Sequence, residues 1–191
     1  MSWSDIPGRA AYRWIYDEWI ASSPRQGAVV VEVGVALGKS LAYLCEKLRD
    51  AGRDDIIVYA VDAWGGYARN GEQTSMADAA GGDFTLYCKT LLEHSPYTLE
   101  RARVRRGLSS RVTIGEFPDL VVLDADHVKD RVVDDIAWWS MHQATDMGNV
   151  GWLGGDDYMP EYQGVIDAVT EAFPKGVEVR YDEGWGTWLK R

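Results

Sequence analysis

Apolar residues along the chain form short continuous runs, separated by longer segments in which they recur every three or four positions. Short apolar runs bounded by turn residues are typical of buried strands, whereas the longer spacing is typical of amphipathic helices. The runs predict strands over 28–33, 56–61, 104–106, 120–124 and 150–155. Two alternating runs near the end, 177–181 and 186–189, predict a terminal hairpin.

The helical spacing predicts helices over 7–22, 37–51, 84–95, 134–143 and 165–173. Pro7 suits the first turn of the first helix, and Pro96 is interpreted as the stop after the third. The segment 63–83 is rich in glycine, alanine and polar residues and is too long for an ordinary connection, so we interpret it as a lid or as disordered. Strands that alternate with helices and finish in an antiparallel end predict an α/β sandwich.

Composition narrows the class of protein. A chain of 191 residues with 46% hydrophobic residues suits a single domain, 1–191, with one sizeable core. A formal net charge of -10 argues against a nucleic-acid-binding surface, so a small-molecule substrate is expected. Cys45 and Cys88 have no paired spacing, which indicates neither disulfides nor zinc and favours a reducing, cytoplasmic setting.

The sequence shows no pattern of a secretion signal or of a membrane span. The first seven residues lack the pattern of a signal peptide, and no apolar run reaches the length of a membrane span, so no membrane partner is expected. The sequence leaves the oligomeric state open, a homodimer included.

The first predicted strand leads into a turn with two glycines. Residues 29–40 read VVVEVGVALGKS, a β-branched strand that breaks at Gly34 and reopens as a helix near Gly38. Backbone N–H groups at such a helix start favour a negatively polarised ligand. A dinucleotide fingerprint would need glycine where Ala36 and Lys39 stand, and a P-loop needs four residues between its glycines where this chain has three. A P-loop-like nucleotide hydrolase therefore stays as an alternative, although the spacing between the two glycines is one residue shorter than its motif requires.

Acidic residues end four of the predicted strands. Glu32 and Asp62 stand at the ends of the first and second strands, Asp124 at the fourth, and Asp156 and Asp157 at the fifth. Ligands of open α/β sheets bind beyond the carboxyl ends of the strands. Aspartate is also common in turns and caps, but convergence at four strand ends favours a site. Three carboxylates from neighbouring strand ends suit a hard cation such as Mg²⁺.

These motifs resemble those of a known family. The pattern E-x-G-x-x-x-G-x-S after a hydrophobic strand resembles the first motif of class I S-adenosylmethionine (SAM) dependent methyltransferases. The runs LDADHVKDR at 123–131 and GGDDY at 154–158 resemble metal-dependent O-methyltransferases of the catechol and caffeoyl-coenzyme A types, and the macrocin O-methyltransferase and cephalosporin hydroxylase-like group. The resemblance implies a Rossmann-like three-layer sandwich with a seven-stranded, mostly parallel sheet and an antiparallel C-terminal strand. It also implies an enzyme that uses SAM to methylate a hydroxyl of a small molecule.

The resemblance implies roles for individual residues. Asp62 would accept hydrogen bonds from the ribose of SAM, and the loop at Ser109 would lie at its adenine. Asp124, Asp156 and Asp157 would hold the metal, with Asp126 as the alternative to Asp124. The full set of residues implied for the cofactor is Glu32, Gly34, Val35, Gly38, Ser40, Asp62, Ala63, Trp64, Leu108, Ser109 and Asp124.

The resemblance further nominates the catalytic residues Lys129, His127 and Asp124. Lys129 would deprotonate the acceptor hydroxyl, a role that needs a lowered pKa, although it also reads as a solvent-facing lysine at a helix start. His127 is the alternative base, because an unperturbed imidazole titrates near neutrality. Related sequences without a metal carry similar motifs, so the need for Mg²⁺ stays open. A non-catalytic SAM-binding module is the remaining alternative, since fold does not fix function.

Overall fold

The computed structural model describes residues 2–65, 83–142, 145–146, 149–182 and 184–191. In chain order its strands are β1 (Val29–Val33), β2 (Ile57–Asp62), β3 (Ala102–Arg106), β4 (Leu120–Leu123), β5 (Thr145–Asp146), β6 (Asn149–Val150), β7 (Trp152–Gly155), β8 (Glu178–Asp182) and β9 (Trp185–Lys190). Its α-helices are α1 (Arg13–Ala21), α2 (Lys39–Asp50), α3 (Asp83–His94), α4 (Pro96–Arg101), α5 (Lys129–His142) and α6 (Gln163–Ala172).

Seven of these strands form one sheet in the order β3-β2-β1-β4-β7-β9-β8, and β5 pairs only with β6. Every pairing from β3 to β7 is parallel, whereas β9 runs antiparallel to both β7 and β8. Strand β1 lies between β2 and β4, so the order reverses there and the first turn opens at a topological switch point. The predicted seven-stranded Rossmann-like sheet with a reversed C-terminal strand is confirmed.

Helices cover both faces of the sheet, which is why the central strands read as continuous apolar runs. Val30 packs in a cluster with residues of α1, α2 and α3, while Val31 belongs to a second cluster with residues of α5 and α6. All five residues of β1 are buried, Glu32 among them. The sheet edge where β1, β2, β4 and β7 end is therefore the natural place for a ligand.

Two helix starts differ from the sequence predictions, and one short helix was not predicted. Helix α1 begins at Arg13, not at Pro7, because Gly8 has a left-handed φ of 107° that interrupts a helical path. Helix α3 ends at His94, as expected of a helix that stops before Pro96, but Pro96 itself occupies the first turn of α4, a short helix that was not predicted. Helix α5 begins earlier than predicted, at Lys129. The predicted lid at 63–83 falls largely on residues 66–82, outside the described residues.

Within the described ranges, no helix has the length and apolarity needed to cross a bilayer.

Candidate active site

The turn after β1 is pressed against the end of β4. Gly34 has a φ of 85°, and a Cβ atom there would lie 1.9 Å from the carbonyl oxygen of Asp124, so only glycine fits. The Gly34 N–H donates to the carbonyl of Val61 at 2.9 Å. Ala36 and Gly38 also have positive φ values, 50° and 85°, and α2 begins at the next residue. The predicted cradle is thus a tight turn held between the ends of β2 and β4.

Asp62 holds this turn in place. Its Oδ2 accepts a hydrogen bond from the N–H of Ala36 at 2.9 Å, and its Oδ1 accepts one from the N–H of Trp64 at 2.7 Å. The Trp64 indole in turn donates to the carbonyl of Ala36 at 3.0 Å. Among the other predicted cofactor residues, Val35 is buried and Ala63 is exposed. Asp62 therefore has a structural partner on each oxygen, and its predicted ribose contact stays a prediction.

Glu32 supports the turn from inside the protein. Its carboxylate is completely buried and accepts hydrogen bonds from Ser40 Oγ and from the Tyr16 hydroxyl, both at 2.6 Å. Tyr12 extends the network by donating to Ser40 Oγ at 2.8 Å. Burial raises the pKa of Glu32 to about 7, while the hydroxyl hydrogen bonds act against the rise. Sequence reasoning missed both tyrosines, although their four-residue spacing within one predicted helix places them on one face.

An acid and imidazole cluster lies at the ends of β4 and β7. One ligand atom from each of Asp124, His127 and Asp157 lies within 4.8 Å of the others. His127 Nε2 is 2.6 Å from Asp157 Oδ2, and Asp157 has a left-handed φ of 59°. The structure thus brings together two of the three predicted metal ligands, and it adds His127 where Asp156 was expected.

Asp156 lines a cavity together with Asp124, His127 and Asp157, but it does not belong to the cluster that those three residues form. Its side chain is buried, and its Oδ1 has no hydrogen-bond partner among the described residues. Burial and the charge of Asp157 raise the pKa of Asp156 to about 7. Burial and the charges of Asp156 and Asp157 raise the pKa of Asp124 as well. A cation bound among such crowded, desolvated carboxylates would stabilise their charged form.

The donor set fits a divalent cation. Carboxylate oxygens are the ligands that Mg²⁺ prefers, while imidazole suits Mn²⁺ and other transition metals. Asp126 does not belong to this cluster; its Oδ1 accepts from the N–H of Val128 at 2.9 Å in the turn before α5. Between the two predicted alternatives, it is Asp124 that joins the cluster.

Lys129 is not brought to the cluster. Its Nζ lies 2.7 Å from Oε2 of Glu171 on α6, and that hydrogen bond raises the pKa of Lys129. The predicted role as a base needed a lowered pKa, so the geometry does not support it. His127 is the predicted base that does lie beside Asp124.

The loop predicted at the adenine is tied to α5. Ser109 Oγ accepts a hydrogen bond from the Trp139 indole at 3.0 Å and hydrogen-bonds to Asp135, whose pKa burial raises to about 6. Leu108, in contrast, exposes 54% of its surface. Asp135 lines the same cavity as Asp124 and was not singled out from the sequence, where it reads as one acid within a helix.

The P-loop alternative finds no support in the position of Lys39. Its Nζ contacts the carbonyl of Ser4 at 3.4 Å and lies 6.0 Å from the ring of Trp3, both in the N-terminal segment.

One family model matches most of the chain. A family model described as "Methyltransferase domain" matches residues 31–158, which is more than half of the chain. The matched region contains the turn, Asp62, Asp124 and the Asp156-Asp157 pair. No curated protein matches the chain.

Solved structures share the fold at low identity. The O-methyltransferase NovP is 18% identical with a TM-score of 0.63, and the match covers 93% of this chain and 77% of NovP. CalS11, a TDP-rhamnose 3'-O-methyltransferase of calicheamicin biosynthesis, is 12% identical with a TM-score of 0.62 and the same coverages, 93% and 77%. A protein of Clostridium thermocellum provisionally named as an rRNA methylase is 12% identical with a TM-score of 0.59, and 96% of each chain is covered.

Such low identities establish a common fold and nothing finer. The family model, in contrast, spans the turn and both acidic motifs of this chain. The chain therefore belongs to the methyltransferase domain family, and it is a class I, SAM-dependent methyltransferase.

Proposed function

We propose that the protein transfers the methyl group of SAM to a hydroxyl of a small molecule. The observation that carries the proposal is the contact between the two halves of the site: Gly34 of the cofactor turn lies against the backbone of Asp124, whose side chain belongs to the cluster with His127 and Asp157. Direct transfer to oxygen needs the hydroxyl beside the sulfonium methyl, and most of the rate gain comes from that positioning. The names of NovP and CalS11, both O-methyltransferases, are consistent with this reaction.

On the cofactor side, the turn and the end of β2 fit SAM. Asp62 and the turn share a hydrogen bond, so the carboxylate and the N–H groups near Ala36 are fixed on one edge. In the proposal Asp62 accepts hydrogen bonds from the ribose hydroxyls. Trp64 and the loop of Leu108 and Ser109 flank the adenine.

On the acceptor side, the proposal assigns to His127 the role of taking the hydroxyl proton. Transfer converts R–OH and the sulfonium into R–O–CH₃, a thioether and one proton, so a proton acceptor is needed. Asp157 holds the imidazole at 2.6 Å, and 35% of the His127 side chain is exposed, so an acceptor can reach it. A ring nitrogen of an imidazole can accept a proton, which is the role that a general base needs.

A divalent cation, Mg²⁺ or Mn²⁺, would be held by Asp124, His127 and Asp157. When bound, it would supply the charge that lowers the pKa of the acceptor hydroxyl. His127 cannot ligate a cation and accept a proton through the same nitrogen atom. Metal dependence, together with the effect of His127→Gln on cation binding, therefore separates the two roles of His127.

A small acceptor is favoured over RNA by charge. The chain carries a formal net charge of -10, and the proposed acceptor side is lined by Asp124, Asp126, Asp156 and Asp157. A nucleic-acid backbone needs clustered cations, and it would be repelled by this edge of the sheet.

The test combines binding and turnover. Calorimetric titration with SAM comes first, and absence of binding at millimolar ligand would contradict the proposal. Labelled methyl transfer is then measured on a panel of hydroxylated aromatic and sugar acceptors. His127→Gln is expected to lower kcat by about 10² to 10⁴, the range of a lost general base. Lys129→Gln, the matched control two residues further along the motif, is expected to change kcat little.

Chelation separates the two roles of His127. If EDTA abolishes transfer and Mg²⁺ or Mn²⁺ restores it, a cation is required, and His127 acts as a ligand if His127→Gln also weakens the binding of that cation in calorimetry. If EDTA has no effect while His127→Gln is still inactive, His127 acts as the base. Transfer that survives His127→Gln, Asp157→Asn and EDTA together would remove the cluster from the mechanism.

A further inference from the structure

The reversed strand β9 brings Trp185 to the edge of the sheet that carries the acid and imidazole cluster. Strand β9 runs opposite to β7, so its first residue lies at the edge where the parallel strands end. The N–H of Tyr158, the residue after Asp157, donates to the carbonyl of Gly186 at 2.7 Å and ties the two segments together. The sheet order places Trp185 on the side of β4 away from β1. This is the acceptor half of the edge, not the cofactor half.

Arg9 covers the ring of Trp185. Its guanidinium carbon is 3.2 Å from the centroid of that ring. The Trp185 ring is in turn 6.3 Å from the ring of Tyr162, which is 4.3 Å from the imidazole of His127. A continuous row of side chains therefore leads from the proposed proton acceptor to an exposed cation.

Among the residues that the structure describes, the N–H groups of the Arg9 guanidinium have no hydrogen-bond acceptor. Within the described part of the chain, Arg9 makes no ion pair and no hydrogen bond. Stacking occupies the face of a guanidinium and leaves its N–H donors pointing outward in the plane. Two other stacked arginines differ on this point: Arg180 lies over Trp14 and pairs with Glu178, and Arg13 lies over Trp3 and pairs with Asp182.

We propose that Arg9, Trp185 and Tyr162 form an anion subsite that binds a carboxylate or phosphate group of the methyl acceptor. The acceptor is then a small molecule with two handles, a hydroxyl presented to His127 and an anionic group held by Arg9. The inference rests on the proposed function for the identity of the ligand as acceptor. The planar fork of Arg9 matches either oxyanion in bidentate fashion.

The negative charge of the acid and imidazole cluster explains why an anionic acceptor would need a cation such as Arg9. An anionic ligand that approaches Asp124, Asp156 and Asp157 is repelled unless a cation lies on its path. Arg9 is close enough to this cluster that its charge opposes the rise in the pKa of Asp156. Neutralising Asp156 is the competing role for Arg9, and it makes a different prediction. If neutralising Asp156 were its role, substitution of Arg9 would weaken the binding of neutral and anionic ligands to the same extent.

Binding of matched probes separates the two roles. Calorimetry is run with 4-hydroxybenzoate, its neutral analogue 4-hydroxybenzamide, and 4-hydroxyphenyl phosphate, each with and without saturating S-adenosylhomocysteine. The variants are Arg9→Gln and Arg9→Lys. The control is Arg49→Gln, which removes a stacked arginine over Tyr97 at the far end of α2.

We expect wild type to prefer an anionic probe over the benzamide by about tenfold or more, the scale of a charge-assisted hydrogen-bond pair. Arg9→Gln should abolish this preference, Arg9→Lys should keep part of it, and Arg49→Gln should leave it unchanged. Whichever of the carboxylate and phosphate probes shows the larger Arg9-dependent gain identifies the group. Absence of Arg9-dependent binding with both anionic probes overturns the subsite, as does an equal loss for all three probes.

Failure of the subsite and failure of the proposed function are distinguishable. If the chain binds no SAM, the titrations without S-adenosylhomocysteine still report whether Arg9 selects anions. If methyl transfer occurs but anionic and neutral acceptors are used equally by wild type and by Arg9→Gln, the subsite is wrong while the methyltransferase reaction stands.

Discussion

The hydroxyl of Tyr16 on α1 donates a hydrogen bond to Oε2 of Glu32 in β1 at 2.6 Å, and both side chains are completely buried. This contact joins the N-terminal helix to the strand that ends in the cofactor turn. A buried carboxylate is tolerated only when its oxygens are hydrogen-bonded. The stability of the cofactor site therefore depends on a residue far from it in sequence.

Tyr16→Phe removes the donor and leaves one oxygen of Glu32 buried without a partner. We expect the free energy of unfolding to fall by about 1–3 kcal/mol, the penalty for an unsatisfied buried polar group. Urea denaturation at pH 7.5 measures it. The control is Tyr97→Phe, which deletes a hydrogen bond to Asp54 that is exposed to solvent, and there a change within about 0.5 kcal/mol is expected. Equal effects of the two substitutions would contradict the role of burial.

The stability of the fold should decline as the pH rises toward and through neutrality. The pKa of Glu32 is raised from its ordinary value to about 7, so between those values the folded state binds a proton that the unfolded state has released. Stability then falls with rising pH. Between pH 5 and pH 7.5 the loss from Glu32 is expected to be about 2 kcal/mol.

Glu32→Gln isolates this contribution in urea denaturation at several pH values. The raised pKa values of Asp124, Asp156 and Asp135 act in the same direction, so the variant should show a shallower decline, not a flat profile. A decline in the variant as steep as in wild type would show that Glu32 does not titrate in this window.

The sheet could be predicted from local pattern, because parallel strands covered on both faces must be continuously apolar. The continuous apolar runs at β1, β2 and β4 indicated buried strands, and the acids at their ends pointed to the edge where the turn and the acid and imidazole cluster lie. Helix starts were harder. A glycine such as Gly8 can lie inside a helix or interrupt it, and a proline such as Pro96 can follow one helix or begin the next. Tertiary packing decides between these alternatives.

The detailed geometry of the site was less accessible. Asp156 and Asp157 are adjacent and chemically identical, and the left-handed φ of Asp157 is what directs its carboxylate to His127. No spacing rule reveals that choice. Arg9 and Trp185 are also unreadable as a pair, since they are brought together only when the last strand reverses.

Gly34→Ala tests the closeness of the turn to β4. The new Cβ atom would meet the Asp124 carbonyl at 1.9 Å, and the backbone on both sides would have to move. We expect a loss of about 3 kcal/mol or more from strain and overpacking together. Gly27→Ala is the matched control, because Gly27 has a φ of 68° but nothing within 4 Å of a Cβ atom, so only the left-handed penalty of about 1–2 kcal/mol applies. Urea midpoints of the two variants that coincide would argue against a close approach.

Asp62→Asn tests whether the carboxylate at the end of β2 binds the ribose as well as the turn. Asparagine keeps one acceptor oxygen and loses the charge, so affinity for S-adenosylhomocysteine should fall by about 10- to 100-fold, the scale of a hydrogen bond to a charged group. Asp55→Asn is the control. Asp55 also accepts a hydrogen bond from a backbone N–H, that of Gly27, but it lies just before the start of β2, at the end of the strand away from the cofactor turn. Calorimetry with the 2′-deoxyadenosyl analogue separates the two roles. If Asp62 binds the ribose, the substitution should weaken the deoxy analogue far less than S-adenosylhomocysteine, whereas equal weakening of both would mean that Asp62 only holds the turn.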